Sequence, residues 1–463
     1  MRCTPFVVLS ALAACGPGST TDMDVAPADG SNDGSNDGAD DSPPRDSGIS
    51  TTPLRYMPAG CRHMLSTAPA TRNNRMGDAT TFGPMPEPRN VHVTWPTNDP
   101  ATTIAALWAT DAGTLATTMR YGTDRAALAM TATGHVSTGG LAGNEVTMHE
   151  VHVCGLRPAT TYYYQVGGEG HWSEVQSFVT APAPGGTGYD VTFSVAGDSR
   201  DDVGVWRAVQ ERMHSVAAMR VPDFEVFTGD AVLIGLIQSQ WDAWFTNGRM
   251  SMARMPFLMA HGNHEALSVN YLMQFAQPQV GMAVQDELFF SVDYGPIHFI
   301  MLNDSTGSNA VITGVERDWL VADLRAVDRA RTPWVIAVHH KGAFSSSTHT
   351  SDSDTQLIRA TWPAVFATGG VDLVLNGHDH DFEITQPLGG DGAPVTSGRG
   401  TVYVTAAGAG ARLYGARMSP WTRYSESVVN FALVHVTERA LDLTPYRGDG
   451  TVIDQGRLSL TRP

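Results

Sequence analysis

Five short apolar runs in this chain are each followed at once by side chains that hold metal ions or move protons. VTFSVAG (191–197) leads into Asp198, FEVFTG (224–229) into Asp230, and PFLMAHG (256–262) into Asn263, His264 and Glu265. WVIAV (334–338) leads into His339 and His340, and VDLVLNG (371–377) into His378, Asp379 and His380. Two carboxylates, one amide oxygen and several imidazoles make a mixed oxygen and nitrogen donor set without thiolate. Such a set suits zinc, iron or manganese better than calcium or a structural thiolate site. It is large enough for two ions, and a shared carboxylate would hold them ~3.5–4 Å apart. A single Asp at a strand end is ordinarily a cap or a turn former. Five such blocks after five apolar runs ask for a common site.

The elements that must position these residues read as an α/β domain over residues 189–450. Compact apolar runs alternate with helical stretches such as 205–219, 239–247 and 315–330. In such folds, sites assemble at the carboxyl ends of strands, where loops converge on a fixed scaffold. Residues 358–369 read as helix or irregular chain, because Pro363 interrupts them. Later strand-like runs at 402–408, 431–437 and 441–446 predict a second sheet packed on the first, with helices flanking both. Ahead of this domain, residues 86–182 hold about seven short runs with period-two alternation, among them 90–95, 103–110, 147–156 and 161–167. That is the pattern of an all-β sandwich. Its segment Leu156-Arg157-Pro158-Ala159-Thr160-Thr161-Tyr162 resembles the start of strand F in fibronectin type III domains, which implies that Tyr162 is a structural corner tyrosine. The fold class expected is therefore multidomain: a fibronectin-like sandwich, then an α/β domain of two packed sheets.

The first 15 residues read as an export signal. Arg2 precedes a short apolar stretch, too short for the ~20 residues that span a bilayer. Leu12-Ala13-Ala14-Cys15 resembles a bacterial lipobox, which implies lipid on Cys15 and an exported, membrane-anchored protein of the cell envelope. Residues 16–55 read as an acidic tether too poor in apolar groups to fold, and 56–85 as a connecting segment. Of four cysteines, Cys3 would leave with the signal and Cys15 would carry lipid. Cys61 and Cys154 remain, and in an oxidising compartment they are expected to pair. The net charge of −17 argues against nonspecific binding of nucleic acid, but not against a small phosphate ester held at metal ions.

The ordered blocks Gly197-Asp198, Gly229-Asp230, Gly262-Asn263-His264-Glu265, Val338-His339 and Gly377-His378-Asp379-His380 resemble the calcineurin-like metallophosphoesterase signature. With the fibronectin-like domain in front, the chain resembles purple acid phosphatases over roughly residues 85–450. The resemblance implies a phosphoric ester hydrolase, first of all an acid phosphatase-like phosphomonoesterase, acting through a metal-bound hydroxide. Asp198, Asp230 and His380 would hold one ion, with Asp230 bridging; Asn263, His339 and His378 would hold the other. His264 would stand beside the scissile phosphate as donor or general acid. Arg200 and His340 would be further neighbours of the phosphate, with Arg200 equally able to pair with Asp201 or Asp202. Either His339 or His340 can be the ligand; His339 is favoured as nearer the strand, and alternation sends the two to opposite sides.

The sequence departs from the pattern at three places, one of them His339-His340-Lys341-Gly342-Ala343-Phe344, which does not match the usual spacing cleanly. Purple acid phosphatases carry an iron-binding tyrosine three residues after the bridging aspartate, and here that position is Leu233. Many other members carry a histidine two residues after the first aspartate, and here it is Arg200. No phenolate is therefore placed to give a purple colour, and Fe, Zn and Mn all stay open. A phosphodiesterase on the same core and a surface binding protein with impaired catalysis are the alternatives. A purely adhesive protein would leave the five blocks unexplained. His261, His298 and His435 lie within apparent strands and read as structural, Trp241 and Trp244 read as core, Glu265 as orienting His264 or another ligand, and Asp379 as facing away. The expected rims are residues 266–288 and 341–357.

Overall fold

A computed structural model describes residues 52–462 apart from 142, 144, 218–220 and 283–284. The signal, the lipobox with Cys15 and nearly all of the tether lie outside the described residues. Among the described residues no helix is long and apolar enough to cross a membrane.

The sandwich forms as its alternation dictates. One sheet contains Arg89–Thr94, Thr103–Thr110, Val146–Cys154, His135–Gly139 and Arg72–Met76; the other is built on Thr118–Gly122, Thr161–Gly168 and Gln176–Val179. Ile104, Ala106 and Trp108 face the core between them, against Val151, Tyr164 and Phe178. Thr103–Thr110 is buried along its whole length. Its other face, Ala105, Leu107 and Ala109, packs on Met273 and Ala276 of the following domain. The Tyr162 hydroxyl accepts the Arg157 N–H at 3.1 Å, which fixes the chain as it enters Thr161–Gly168. Cys61 and Cys154 form a disulfide with their Cα atoms 5.1 Å apart. It ties the connecting segment to the end of a core strand.

Downstream lie two sheets face to face. The first runs Leu458–Thr461, Ala440–Arg447, Asn430–Val436, Val191–Ala196, Phe224–Phe227, Phe257–Met259. The last three of these pair in parallel. The second sheet has seven strands, with Ile297–Met301, Trp334–Lys341, Leu373–Gly377 and Val402–Ala406 parallel at its centre. Phe193, Val195, Phe224, Val226, Phe299, Ile336, Val338 and Leu375 fill the layer between the sheets. Helices Val203–Val216 and Gln238–Met252 cover the first sheet through Trp206, Trp241 and Trp244. Glu316–Ala326, Ser353–Thr361 and Pro363–Gly369 cover the second through Leu320, Ile358 and Phe366.

Three details depart from the sequence reading or refine it. The parallel pairing Phe257↔Thr94 fuses the sandwich sheet to the first sheet of the α/β domain, making eleven continuous strands where the chain alone reads as two separate units. The ambiguous stretch around Pro363 is two helices. Pro363 sits at the first position of the second, where its missing N–H costs nothing. The strand that carries His298, Ile297–Met301, pairs with Phe290–Tyr294 in a hairpin whose turn is carried by Gly295 at φ 53°.

Candidate metal centre

The polar blocks converge where the parallel strands of both sheets end. Three of their residues hold left-handed backbone conformations that non-glycine residues seldom adopt: Asp198 (φ 57°), Asp230 (φ 57°) and His378 (φ 71°). Such strain persists only where surroundings fix it, and it gathers at functional sites. The glycines of the motifs are needed for approach. Gly229, itself at φ 100°, would drive a Cβ to within 2.7 Å of His340 Nδ1, and Gly377 would drive one to within 2.5 Å of Asp198 Oδ2. Glu265 supports this turn, though not through His264. Its carboxylate accepts the backbone N–H of Asp230 (3.0 Å), Ala231 (2.8 Å) and Gly262 (2.8 Å).

Two donor groups share Asp230. Asp198, Asp230 and His380 form one; Asp230, His340 and His378 form the other, and within each group the ligand atoms lie within 4.8 Å of one another. Asn263 Oδ1 joins the second at 3.1 Å from His340 Nε2. That nitrogen is also 3.3 Å from His378 Nδ1 and 3.4 Å from Asp230 Oδ1. In the first group His380 Nε2 is 3.4 Å from Asp198 Oδ1. Four donors at ~2.1 Å from one tetrahedral ion stand ~3.4 Å apart, so these spacings fit metal ligation. The far nitrogens are anchored as ligating imidazoles require: His340 Nδ1 on the Thr228 carbonyl at 2.8 Å and His380 Nδ1 on the Arg412 carbonyl at 2.7 Å.

This corrects the histidine assignment. His340 joins the donor group, and His339 does not. Along Trp334–Lys341 the even-numbered Trp334, Ile336 and Val338 face the layer between the sheets, where the site opens, while Val335 and Ala337 face the helices. His339 follows the second set. It packs edge-on to Trp362 at 4.9 Å and bonds Asp304 through Nδ1 at 3.0 Å. Nearness to the strand is therefore the wrong criterion; the face shared with Trp334, Ile336 and Val338 is the right one.

Arg200 pairs with Asp201 and also lies against the donor atoms. One guanidinium nitrogen holds Asp201 at 2.8 Å; another stands 3.4 Å from His380 Nε2, and Nε lies 3.5 Å from Asp230 Oδ2. Thus a cation sits against the first donor group, where two carboxylates and an imidazole come together. Leu233 is 42% exposed and contributes its backbone: its carbonyl accepts His264 Nδ1 at 2.7 Å. His264 Nε2 is thereby turned toward the centre, 3.8 Å from Asp230 Oδ2. The sequence reading missed His349. Its ring lies 4.1 Å from that of His378, and Asp352 holds its Nδ1 at 2.8 Å. The expected rim 341–357 contains both residues, but no strand end marks them. His261 bonds Asn303 and the Leu267 N–H, His298 lies between Asp293 and Asp323, and His435 pairs with Asp190, so none of them enters the centre.

The electrostatics follow from burial and pairing. Burial pushes the Asp198 carboxyl above its ordinary range. Burial acts likewise on Asp230, but His340 and His264 outweigh it and hold that carboxyl far below. Burial would lower His340, yet Asp230 and Asp198 raise it to about 10. Burial and the neighbouring His340 hold His378 well below the usual histidine range.

Known proteins resemble this chain along both its β-domain and its α/β domain. Residues 88–180 match the purple acid phosphatase N-terminal domain, and residues 191–382 match the calcineurin-like phosphoesterase. Purple acid phosphatase 21 of Arabidopsis thaliana is 28% identical over 257 residues, 53% of this chain and 55% of that protein. Purple acid phosphatase 23 of the same plant is 29% identical over 265 residues, 51% of this chain and 57% of that one. An uncharacterized protein of Mycobacterium tuberculosis is 29% identical over 282 residues, 54% of this chain and 53% of its own. This chain thus spans about half the length of the curated relatives it matches. Among solved structures, purple acid phosphatase PPD1 from yellow lupin (Lupinus luteus) seeds superposes with a TM-score of 0.66 at 18% identity, covering 81% of this chain and 74% of that one. PhoD superposes at 0.59 with 12% identity, covering 83% and 94%. At these identities the two share the fold.

Proposed function

Because the chain is a calcineurin-like metallophosphoesterase with a purple acid phosphatase N-terminal domain, we propose that it hydrolyses phosphoric esters, monoesters first, at a binuclear metal centre. The observation that carries this reading is the pair of donor groups sharing Asp230. Asp198, Asp230 and His380 would hold one ion, and Asp230, Asn263, His340 and His378 the other. Two ions so held would supply an activated water at neutral pH and would neutralise charge on the phosphoryl oxygens. The donor chemistry fits Fe, Zn or Mn and selects none of them.

The side chains around the centre divide the remaining work. His264, fixed through Nδ1 on the Leu233 carbonyl, offers Nε2 to the leaving-group oxygen and can hand it a proton. Arg200, braced by Asp201, offers a guanidinium N–H to a phosphate oxygen. His349, braced by Asp352, takes the phosphate-neighbour place that the sequence reading gave to His340. A dianionic monoester meets three such donors, and this supports the monoester over the diester.

The test is hydrolysis of a chromogenic monoester and the matching diester by the purified protein, with metals counted on the same sample. Monoester cleavage that falls on chelation, with about two ions per chain, supports the proposal; faster diester cleavage reverses the substrate choice. The guanidinium of Arg200 against the first donor group favours one rival, a surface binding protein with impaired catalysis. A folded chain with one ion or none that cleaves neither ester would establish it. We also propose export and anchoring through lipid on Cys15, a reading to which the Cys61–Cys154 disulfide is suited. Cys15→Ser should move the protein from the membrane to the soluble fraction, and an unchanged distribution would refute the anchor.

A further inference from the structure

Three buried carboxylates alternate along the segment that carries His378 and His380: Asp379, Asp381 and Glu383, each at most 1% exposed. Burying three acids side by side is costly unless hydrogen bonds take them up. Here they meet three consecutive buried serines of the loop that follows Trp334–Lys341. Ser345 donates its hydroxyl to Asp379. Ser346 gives its N–H and its hydroxyl to Glu383 at 2.7 and 2.6 Å. Asp381 faces the hydroxyls of Ser347 and Ser425.

Asp379 carries this clasp onward into the site. Its Oδ1 accepts the backbone N–H of Thr348 and of His349, both at 3.1 Å. Immediately beyond, the His349 ring stands 4.1 Å from His378 and 5.5 Å from Tyr414, with Asp352 on its Nδ1. The residue between two metal ligands thus spends its side chain on the backbone of a third histidine. We propose that Asp379 is a positioning residue: it fixes the 348–349 backbone so that His349 stands over the phosphate subsite of the neighbouring centre. The inference rests on the phosphoesterase reading. Loosening an anchor of this kind misplaces a catalytic group without removing it, and a displacement of 1 Å can cost ~10²-fold in rate.

The experiment compares wild type, Asp379→Asn, His349→Ala and the double variant in the full protein. Four quantities are read: kcat/KM against pH, affinity for inorganic phosphate, metal content and amide exchange at residues 348–349. Asp379→Asn should keep the metal content of wild type, speed exchange at those two amides, and lower phosphate affinity and kcat/KM by ~10–100-fold. It should also reproduce the pH profile of His349→Ala, and the double variant should lose no more than the larger single loss. Additive losses, a fall in metal content equal to the fall in activity, or an unaffected kcat/KM would overturn the proposal. Should Asp379→Asn fail to fold, Ser345→Ala removes one partner of the same carboxylate; its loss must then be smaller and again non-additive with His349→Ala, and additivity overturns the proposal. An inactive wild type sinks the phosphoesterase reading instead, and the exchange and phosphate-binding arms then decide the role of Asp379 separately.

Discussion

In the β-domain, His63 Nε2 meets His152 Nδ1 at 3.0 Å, His152 Nε2 meets Glu150 Oε1 at 2.6 Å, and the Tyr56 hydroxyl meets His135 Nδ1 at 3.1 Å. At the strand ends of the α/β domain, His340 Nε2 faces Asn263 Oδ1, His378 Nδ1 and Asp230 Oδ1 together, at 3.1, 3.3 and 3.4 Å. Both regions bury histidine and carboxylate side by side. In the first, atoms meet in pairs, and one proton per contact satisfies each. In the second, one nitrogen faces three acceptors, and a single proton can serve only one of them; a cation serves them all. The comparison teaches that convergence of lone pairs, rather than residue type or burial, separates a metal centre from a polar core. Even Cys61, His63 and Cys154, whose ligand atoms lie close enough for an ion, are already committed, because the two sulfurs are joined.

The sharpest way to break this contrast is to remove one acid from each cluster. Asp230→Asn should cost about 10³-fold or more in kcat, because it withdraws the ligand common to both donor groups. Metal content should fall with it. Glu150→Gln should leave kcat and metal content unchanged and lower only the melting temperature. Metal loss in Glu150→Gln, or an active Asp230→Asn, would erase the distinction.

Next in size is His264→Ala, expected to lower kcat by about 10²-fold while both ions are retained. The loss should shrink for substrates with a good leaving group, which needs no proton. An equal loss for good and poor leaving groups would remove the general-acid role and leave His264 as a binding residue.

The disulfide sets the β-domain cluster apart in a further way. Joining residues 93 apart in sequence, it should contribute ~2–4 kcal/mol to stability. Cys61→Ser with Cys154→Ser should therefore lower the denaturant midpoint and leave kcat at its wild-type value, since the bridge touches no donor of the metal centre. A fall in kcat under conditions where the double variant is fully folded would tie the two clusters together.

Acid should act on the β-domain through His149. Burial and the neighbouring His135 hold His149 down to about 3, where it is stacked on Trp108 and bonded to Thr110 and Thr117. The unfolded chain takes up that proton near 6.5. The stability this residue contributes is thus complete above pH 6.5 and is lost as pH falls toward 3, on the order of 2 kcal/mol at pH 5. His298 runs the other way: burial would lower it, but Asp293 and Asp323 raise it to about 9, so its contribution is full below 6.5 and lost as pH rises through 9. Melting temperature against pH should accordingly fall on the acid side less steeply in His149→Gln than in wild type. An unchanged acid slope would show that His149 does not set it.

Much of the molecule was legible because apolar strands and strand-end ligands are local features. The five blocks, the two-sheet arrangement and the corner at Tyr162 all rest on spacings of a few residues. What escaped depends on contacts made at a distance. Choosing His340 over His339 required knowing which face of Trp334–Lys341 meets the other sheet, and alternation alone names two faces without saying which is which. His349 has no strand end to announce it, since its place is set by Asp352 and by a carboxylate on another segment. Asp379, read as facing away, does turn from the centre, yet it turns toward the loop that re-enters it. The single pairing of Phe257 with Thr94 fused two sheets across a linker whose composition marks only a break.

The smallest expected effect tests whether the β-domain row is held together contact by contact. The Tyr56 hydroxyl ends the row on His135 Nδ1, and its ring packs edge-on to that imidazole at 5.7 Å. Tyr56→Phe keeps the ring and removes one hydrogen bond, which should cost ~1 kcal/mol. His135 would then keep only Glu150, 3.9 Å away, as its charged neighbour in the row. Because each contact in the row is pairwise, the loss should add to that of Cys61→Ser with Cys154→Ser when the changes are combined, and metal content should be unmoved. A loss well above the sum would mean that the row acts as one cooperative network. The β-domain cluster would then resemble the metal centre in its energetics while still differing from it in what it can bind.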